Sequence, residues 1–299
     1  MRVPQAEKIN MKANDLITVI MPTYNARPDY LIAAIKSCQD QSWQRWELIV
    51  VDDGSTNQTP ELVTAVAQTD ERIHLLQHTI NRKLPAALNT GLAAASGAFI
   101  TWLSDDDLLR PLALERMHHF LETNPDYDLV YTDYSLIDAD GQVYKAMKVG
   151  STNELGIHKS TGICHLGRRE VFIALGGYEE EFFLAEDLDF WIRACMRFQA
   201  AALHEDLALY RKHPATLTSA YRGATVWRVH GRILDRYRHS MTWLGRHGLA
   251  RAYLRLASKL LGTQDWRLGL CYLGKSLVQS PGVAFWKLVS RSFGSLPKA

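Results

Sequence analysis

The alternation of short apolar runs with helical patterns most constrains what this chain can fold into. Four runs rich in β-branched or aromatic residues have the composition of buried parallel strands, at residues 16–21, 46–51, 73–77 and 98–103. Helical spacings of apolar residues separate these runs. The order predicts a doubly wound α/β sheet, followed by a helix near 111–123 and a strand in "DLVYTDY".

Polar segments follow the predicted strands, at the sheet edge where ligands bind in such folds. They read "PTYN" (22–25), "DDGS" (52–55), "NR" (81–82) and "SDDD" (104–107). Any one of them could be a helix cap, for which Asp and Ser are preferred. Four of them on one sheet edge are better explained by a shared site.

Three adjacent aspartates, Asp105 to Asp107, should repel one another, at about 1 kcal/mol for each pair in water. No glycine-rich loop of the P-loop or dinucleotide type follows a predicted strand. A divalent cation held by carboxylates would neutralise a bound diphosphate instead, because Mg²⁺ and Mn²⁺ prefer oxygen ligands. The sequence therefore predicts a divalent cation cofactor.

Composition narrows the class of protein. With 47% hydrophobic and 22% charged residues among 299, the chain is of globular type. The four cysteines stand far apart without any CxxC spacing, which argues against a zinc site and against a disulfide framework. No apolar signal segment opens the sequence, and Pro85, with several polar residues, interrupts the longest uncharged run, 84–104. We therefore expect a cytoplasmic protein without membrane spans.

Four blocks, in this order, resemble glycosyltransferase family 2, a family of inverting, nucleotide-sugar-dependent enzymes with the GT-A fold. The blocks are "ITVIMPTYNARPDYLIAAIKSCQDQSWQRWELIVVDDGSTNQT", "NRKLPAALNTGLAAASGAFITWLSDDDLLRP", "GGYEEEFFLAEDLDFWIRA" and "YRKHPATLTS". They extend from about Ile17 to Ser219. The resemblance implies a Rossmann-like catalytic domain at 16–222, after an N-terminal tail at 1–15 and before a helical region at 223–299.

The resemblance also implies roles for single residues at the donor end. The residues expected to bind a nucleotide sugar, a UDP-sugar first among them, are Pro22, Thr23, Tyr24, Asn25, Asp52, Asp53, Arg82, Lys83, Asp105 and Arg211. Asp106 is expected to bind the cation, with Asp107 as a further ligand, a support of the loop or a helix cap, and His213 reaching the metal or the diphosphate. Two positions depart from the family pattern, because Ser104 stands where an acid is common and Lys83 where glycine is common.

The segment "AEDLDFW" is either an acidic helix start, favourable against the helix dipole, or the motif that supplies a catalytic base. Displacement at an anomeric carbon needs a carboxylate that takes the proton of the acceptor hydroxyl. By the resemblance, Asp187 is the expected base of a single inverting displacement, and Glu186 orients the acceptor or the base. The expected acceptor is a hydroxyl of a glycan or lipid-linked glycan, as in cell-surface polysaccharide or lipopolysaccharide synthesis.

Three alternatives stay open. Transfer to a polyprenyl phosphate needs no base, because that acceptor is already anionic. A non-catalytic nucleotide-sugar-binding or scaffold protein is compatible with a metal motif that lacks its acid at Ser104. A nucleotidyltransferase would be expected to carry a glycine-rich and basic loop after the first strand, and "PTYNARPD" is not one.

The C-terminal region differs in charge from the rest. Residues 223–299 contain 13 Lys and Arg against 2 Asp and Glu, and residues 1–222 contain 21 against 30. Arg251, Arg255 and Lys259 recur at every fourth position of a predicted helix. The region is either a helical subdomain with a solvated basic face or a surface that rests on the anionic inner face of the plasma membrane. It contains no recognised nucleic-acid module, so we expect no nucleic-acid partner.

Overall fold

The computed structural model describes residues 15–157, 161–214, 216–217 and 224–283. The expected domain boundary at 222/223 and the N-terminal tail up to residue 14 lie outside these ranges. Within the described ranges, none of the helices combines the length and the apolar character that a membrane span requires.

Strands and helices alternate in the first part of the chain, as predicted. The parallel strands are β1 (Ile17–Thr23), β2 (Trp46–Asp52), β3 (Ile73–Gln77) and β4 (Phe99–Trp102), paired in the order β3-β2-β1-β4. The helices between them are α1 (Pro28–Gln39), α2 (Thr59–Ala67) and α3 (Leu84–Ala94). Each of these helices has a proline in its first turn, where the missing N–H costs no intrahelical hydrogen bond.

The rest of the sheet is mixed, which the sequence did not predict. Its strands are β5 (Leu108–Leu109), β6 (Leu129–Ile137), β7 (Val143–Met147), β8 (His165–Arg168) and β9 (Ala200–Arg211). Strand β8 lies antiparallel between β4 and β6, β9 runs parallel to β6, and β5 pairs antiparallel with β9. Because β7 is largely exposed and β9 largely half-buried, they lack the continuous apolar runs that mark β1 and β2.

The remaining helices divide between the two faces of the sheet. They are α4 (Ala113–Thr123), α5 (Arg169–Leu175), α6 (Glu186–Cys195), α7 (Ala224–Tyr237), α8 (Gly245–Leu260) and α9 (Trp266–Gln279). Alternate strand residues point to opposite faces, so Val19 packs with α1 and α4, whereas Ile20 belongs to the cluster that contains α3, α5 and α6. The C-terminal helices α7 to α9 join that second cluster, so α6 and the basic region share one hydrophobic core.

Candidate active site

A cavity of about 920 Å³ lies at the carboxyl ends of β1, β2 and β4. Twelve of the fifteen residues predicted from the sequence line it: Pro22, Thr23, Tyr24, Asn25, Asp53, Lys83, Asp105, Asp106, Asp107, Glu186, Asp187 and His213. Asp52, Arg82 and Arg211 are not among the lining residues. The strand order therefore brings together segments that are more than 150 residues apart in the sequence.

Asp53 organises the loop that leads into α3. This buried carboxylate accepts hydrogen bonds from the backbone N–H groups of Arg82 and Lys83, both at 2.8 Å, and its Oδ1 lies 2.7 Å from Nδ1 of His78. The Arg82 guanidinium instead lies 3.6 Å from a carboxylate oxygen of Glu180, away from the cavity lining. Asp52 is buried and accepts a hydrogen bond from the backbone of Ser55 at 3.3 Å, so it supports the turn.

Lys83 has an unusual backbone conformation, with φ 76° and ψ 162°. This region of φ and ψ is essentially restricted to glycine, which is the residue expected here from the family pattern. Within the part of the chain that the structure describes, Asn25, Lys83 and Leu184 are the non-glycine residues with positive φ, and all three line the cavity. Backbone strain is therefore concentrated in the wall of this cavity.

The first two aspartates of the triplet have different partners. Oδ2 of Asp105 accepts a hydrogen bond of 2.6 Å from the hydroxyl of Thr23, at the end of β1. Burial, together with the neighbouring charge of Asp106, raises the pKa of Asp105 to about 7. Oδ2 of Asp106 lies 3.0 Å from Nε2 of His213. Asp105 is thus tied to the sheet, whereas Asp106 and His213 form a pair in the cavity wall.

Asp107 supports strand β9 and does not cap the next helix. Its buried carboxylate accepts the backbone N–H of Arg211 at 2.8 Å, and helix α4 begins only at Ala113, after strand β5. Burial raises the pKa of Asp107 well above its ordinary value. Arg211 donates from Nε to the carbonyl of Asp106 at 2.9 Å, and its guanidinium lies 4.2 Å from the ring centroid of Tyr30. Arg211 thus holds the backbone of the Asp105–Asp107 loop in place and does not line the cavity.

The predicted base motif forms the first turn of α6. Glu186 is buried, and its Oε2 accepts the backbone N–H of Leu184 at 2.9 Å. Asp187 is half-buried, and its Oδ1 accepts the backbone N–H of Leu188 at 2.7 Å. Both carboxylates lie at a helix N-terminus, where the dipole favours the negatively charged form. Asp187 is the more accessible of the two, as a base that meets an acceptor must be.

A hydrogen bond to a buried carboxylate ties α6 to the C-terminal helix α7. The Asp189 carboxylate accepts hydrogen bonds of 2.8 Å from the Tyr237 hydroxyl of α7 and from Nε of Arg193. Arg193 also donates to the carbonyls of Leu175 and Gly177, at 2.8 and 2.9 Å. Helix α6, whose first turn contains the predicted base, is therefore held to α7 through Asp189 and to the end of α5 through Arg193.

Sequence reasoning missed the contribution of α7 and α8 to the cavity. Trp227, His230, Arg255 and Leu256 line it. The helical periodicity placed Arg255 in one basic stripe with Arg251 and Lys259, and those two are exposed while Arg255 is half-buried. Arg255 is the middle position of this stripe, so its place in the cavity wall follows from its contacts with Trp227 and with the carbonyl of Ile157 and not from the helical period. The sequence around Arg255 does not distinguish it from Arg251 and Lys259.

The donor atoms present fit a cation that a diphosphate helps to bind. Among the described residues, no group of three or more His, Cys, Asp or Glu side chains is arranged to hold a metal ion. Asp106 and His213 offer one carboxylate and one imidazole nitrogen in contact with each other. Mg²⁺ is commonly held by one or two protein carboxylates together with substrate phosphates, so this pair suits such an ion better than a resident structural metal.

Comparison with known proteins identifies the family. The protein-family model described as Glycosyl transferase family 2 matches residues 18–176 of this chain. EpsE of Bacillus subtilis, assigned as a glycosyltransferase, is 35% identical over 190 residues, which are 61% of this chain and 68% of EpsE. TuaG of the same organism, assigned as a glycosyltransferase of teichuronic acid biosynthesis, is 36% identical over 126 residues, 42% of this chain and 49% of TuaG. In other relatives the alignment covers from 23% to 70% of the relative's own length.

The fold is also that of a solved structure. The crystal structure of S. aureus TarS 1-349 in complex with UDP-GlcNAc matches 90% of this chain and 82% of that chain, with a TM-score of 0.68 and 18% identity. This likeness confirms the predicted α/β GT-A fold with a C-terminal helical region. Because the family model matches more than half of the residues of this chain, the chain belongs to glycosyltransferase family 2.

Proposed function

We propose that the protein transfers a sugar from a nucleotide-diphosphate sugar to a hydroxyl of a glycan or lipid-linked glycan, in an inverting reaction that depends on a divalent cation. The observation that carries this proposal is one cavity lined by Asp105, Asp106, His213 and Asp187. TarS in complex with UDP-GlcNAc supports a UDP-sugar donor, and TuaG supports a polysaccharide product.

The donor half of the cavity is built from the ends of β1 and β4. We propose that the base and ribose lie against Thr23, Tyr24 and Asp105, above the loop that Asp53 fixes. Asp106 and His213 would hold Mn²⁺ or Mg²⁺. When bound, such a cation stabilises the negative charge that develops on a diphosphate leaving group.

The acceptor half contains the proposed base. Asp187 and Asp106 belong to separate elements and both line the cavity, and we propose that the donor sugar binds between them. Asp187 would take the proton of the acceptor hydroxyl. At the same time the hydroxyl oxygen would bond to the anomeric carbon, and the diphosphate would leave from the opposite face. The product is an inverted glycoside.

Calorimetry of UDP-sugar binding with and without Mn²⁺ tests the donor half. We expect the Asp106→Ala variant to lose the Mn²⁺-dependent part of binding and the Ser104→Ala variant to keep it. Equal Mn²⁺ dependence in both variants would contradict the role of Asp106.

A thermal-shift screen of nucleotide sugars identifies the donor, since a ligand at 100 times its Kd stabilises the folded protein by about 2.7 kcal/mol.

The Asp187→Asn variant separates the two acceptor classes. For a hydroxyl acceptor we expect turnover to fall by about 10²–10⁴-fold, the usual contribution of a general base, with unchanged donor affinity. Full activity on a polyprenyl phosphate would favour that alternative. Membership of an enzyme family supports catalysis over a scaffold role, and Mn²⁺-dependent donor hydrolysis tests it.

We also propose that the protein works in the cytoplasm and contacts the anionic inner face of the membrane through its C-terminal helices. Residues 224–283 contain ten Lys and Arg against two Asp, and both of those aspartates are paired with basic side chains. Helix α9 exposes Trp266, Leu270 and Leu277, which lie on one side at helical spacing. An apolar face flanked by basic residues is typical of interfacial helices.

A further inference from the structure

The loop that leads into the proposed base is connected to helix α7 through the carboxylate of Glu181. We call residues 178–185 the base loop, because they directly precede the helix turn that contains Asp187. Oε1 of Glu181 accepts a hydrogen bond of 2.5 Å from Arg236, and Oε2 accepts one of 2.6 Å from Arg232. Arg232 also donates to the carbonyl of Glu181, at 3.4 Å. Two arginines one turn apart on α7 thus hold one residue of the base loop.

The same two arginines pack on the aromatic side chain that follows Glu181. The guanidinium carbons of Arg236 and Arg232 lie 4.7 and 5.4 Å from the ring centroid of Phe182, within the range of cation–π contacts. Phe182 is buried and belongs to the second hydrophobic cluster. An isolated ion pair at the surface contributes little to stability, whereas a network of several charges contributes more. Here two cations share one carboxylate and one buried ring, so the contact is such a network.

The base loop contains a strained residue just before α6. Leu184 has φ 81°, which is unfavourable for a residue with a branched side chain, and it lines the cavity. Its backbone N–H donates to Oε2 of Glu186 at 2.9 Å, and the backbone N–H of Ala185 donates to the carbonyl of Phe182 at 2.8 Å. Such a conformation persists only where the surrounding contacts hold it. Because the α7 arginines hold Phe182, they contribute to the contacts that keep Leu184 and the first turn of α6 in place.

We propose that Glu181 is a positioning residue for the reaction: held by Arg232 and Arg236, it keeps the base loop in the conformation that places Asp187 against the acceptor hydroxyl. This inference rests on the proposed function, in which Asp187 is the base. Glu181 is not among the residues that line the cavity, so it acts through the loop and not by contact with substrate. A displacement of about 1 Å in a catalytic group can lower a rate by about 10²-fold, so a remote contact of this kind has a measurable effect.

Hydrogen exchange of the full chain tests whether Glu181 holds the base loop. We expect the backbone amides of residues 182–188 to exchange about fivefold faster in Glu181→Ala than in wild type, the effect of losing one ion pair of an exposed network. Glu179→Ala removes a carboxylate from another exposed position of the same loop and should leave exchange unchanged. Arg232→Ala combined with Arg236→Ala removes the contact from the side of α7 and should reproduce the faster exchange. Equal exchange in wild type and Glu181→Ala overturns the proposal.

Mn²⁺-dependent hydrolysis of the UDP-sugar that stabilises the protein most measures the effect on the base. Water takes the place of the acceptor: its proton passes to Asp187, its oxygen bonds to the anomeric carbon, and UDP leaves with the electron pair of the broken carbon–oxygen bond. We expect Glu181→Ala to lower kcat by about 10–100-fold and to leave the donor KM unchanged, and Glu179→Ala to change neither. A raised KM with unchanged kcat would place Glu181 in donor binding and overturn the proposal.

The Asp187→Asn background separates this inference from the function on which it rests. If Glu181 acts through the base, Glu181→Ala should cause no further loss of kcat once Asp187 has been replaced, because the two changes remove the same contribution. An equal loss in both backgrounds overturns the inference and leaves the proposed function intact. If Asp187→Asn by itself keeps the wild-type rate of hydrolysis, the proposed base is wrong, and the inference falls with it.

Discussion

Replacing Lys83 with glycine should stabilise the protein, although it deletes a whole side chain. Lys83 occupies φ 76° and ψ 162°, a conformation in which the Cβ atom of every residue except glycine causes strain. Its backbone N–H donates to Asp53, so the surrounding loop holds this conformation in place. Glycine keeps that hydrogen bond and removes the Cβ.

The expected gain is a difference between two opposing terms. Backbone strain of this kind costs about 1–3 kcal/mol. Glycine adds about 0.5–1 kcal/mol of conformational entropy to the unfolded chain, which lowers the free energy of unfolding. The free energy of unfolding of Lys83→Gly should therefore exceed that of Lys83→Ala by about 1 kcal/mol, or roughly 2–4 °C in Tm. Lys83→Ala is the matched control, because it removes the same charge and keeps the strained Cβ.

Urea denaturation of the three proteins at one pH measures this difference. A Lys83→Gly variant no more stable than Lys83→Ala would refute the view that the position is strained. The same pair separates a second effect, since both variants lack the ammonium group. We expect both to bind a UDP-sugar more weakly than wild type by a similar factor, because Lys83 is a cation that lines the cavity proposed to bind the donor.

Three further predictions concern other parts of the molecule. Tyr237→Phe removes the hydrogen bond to the buried carboxylate of Asp189 and should lower the free energy of unfolding by about 1.5–3 kcal/mol in urea denaturation; a change below about 0.5 kcal/mol would show that the bond contributes little. Because the pKa of Asp105 is raised from 3.8 to about 7, its contribution to stability is lost as pH rises from about 4 through 7, and Asp105→Asn should reduce the slope of Tm against pH over that window; an unchanged slope would contradict the raised pKa. Trp266→Ser with Leu270→Ser should weaken cosedimentation with vesicles that contain anionic lipid and leave UDP binding intact, and undiminished sedimentation would exclude the α9 face as the contact.

Local patterns were sufficient for the parallel half of the fold and for most of the donor site. Strands β1, β2 and β4 are buried on both faces, so their sequences are largely continuous apolar runs that can be read without any tertiary contact. The segments that follow them must meet at one sheet edge, because the strands are parallel. This is why Thr23, Asp53 and Asp106 were predictable as neighbours in a single cavity.

Tertiary structure alone decided how the remaining residues divide their tasks. Adjacent aspartates look alike in sequence, yet Asp107 accepts the backbone N–H of Arg211 while Asp106 pairs with His213, because the end of β9, about a hundred residues away in sequence, runs along the aspartate loop. Arg255 lines the cavity and Arg251 is exposed although both lie on the same side of α8, because Trp227 and the carbonyl of Ile157, both distant in sequence, contact Arg255. Periodicity along a chain specifies which residues share a face, and only long-range packing specifies what that face meets.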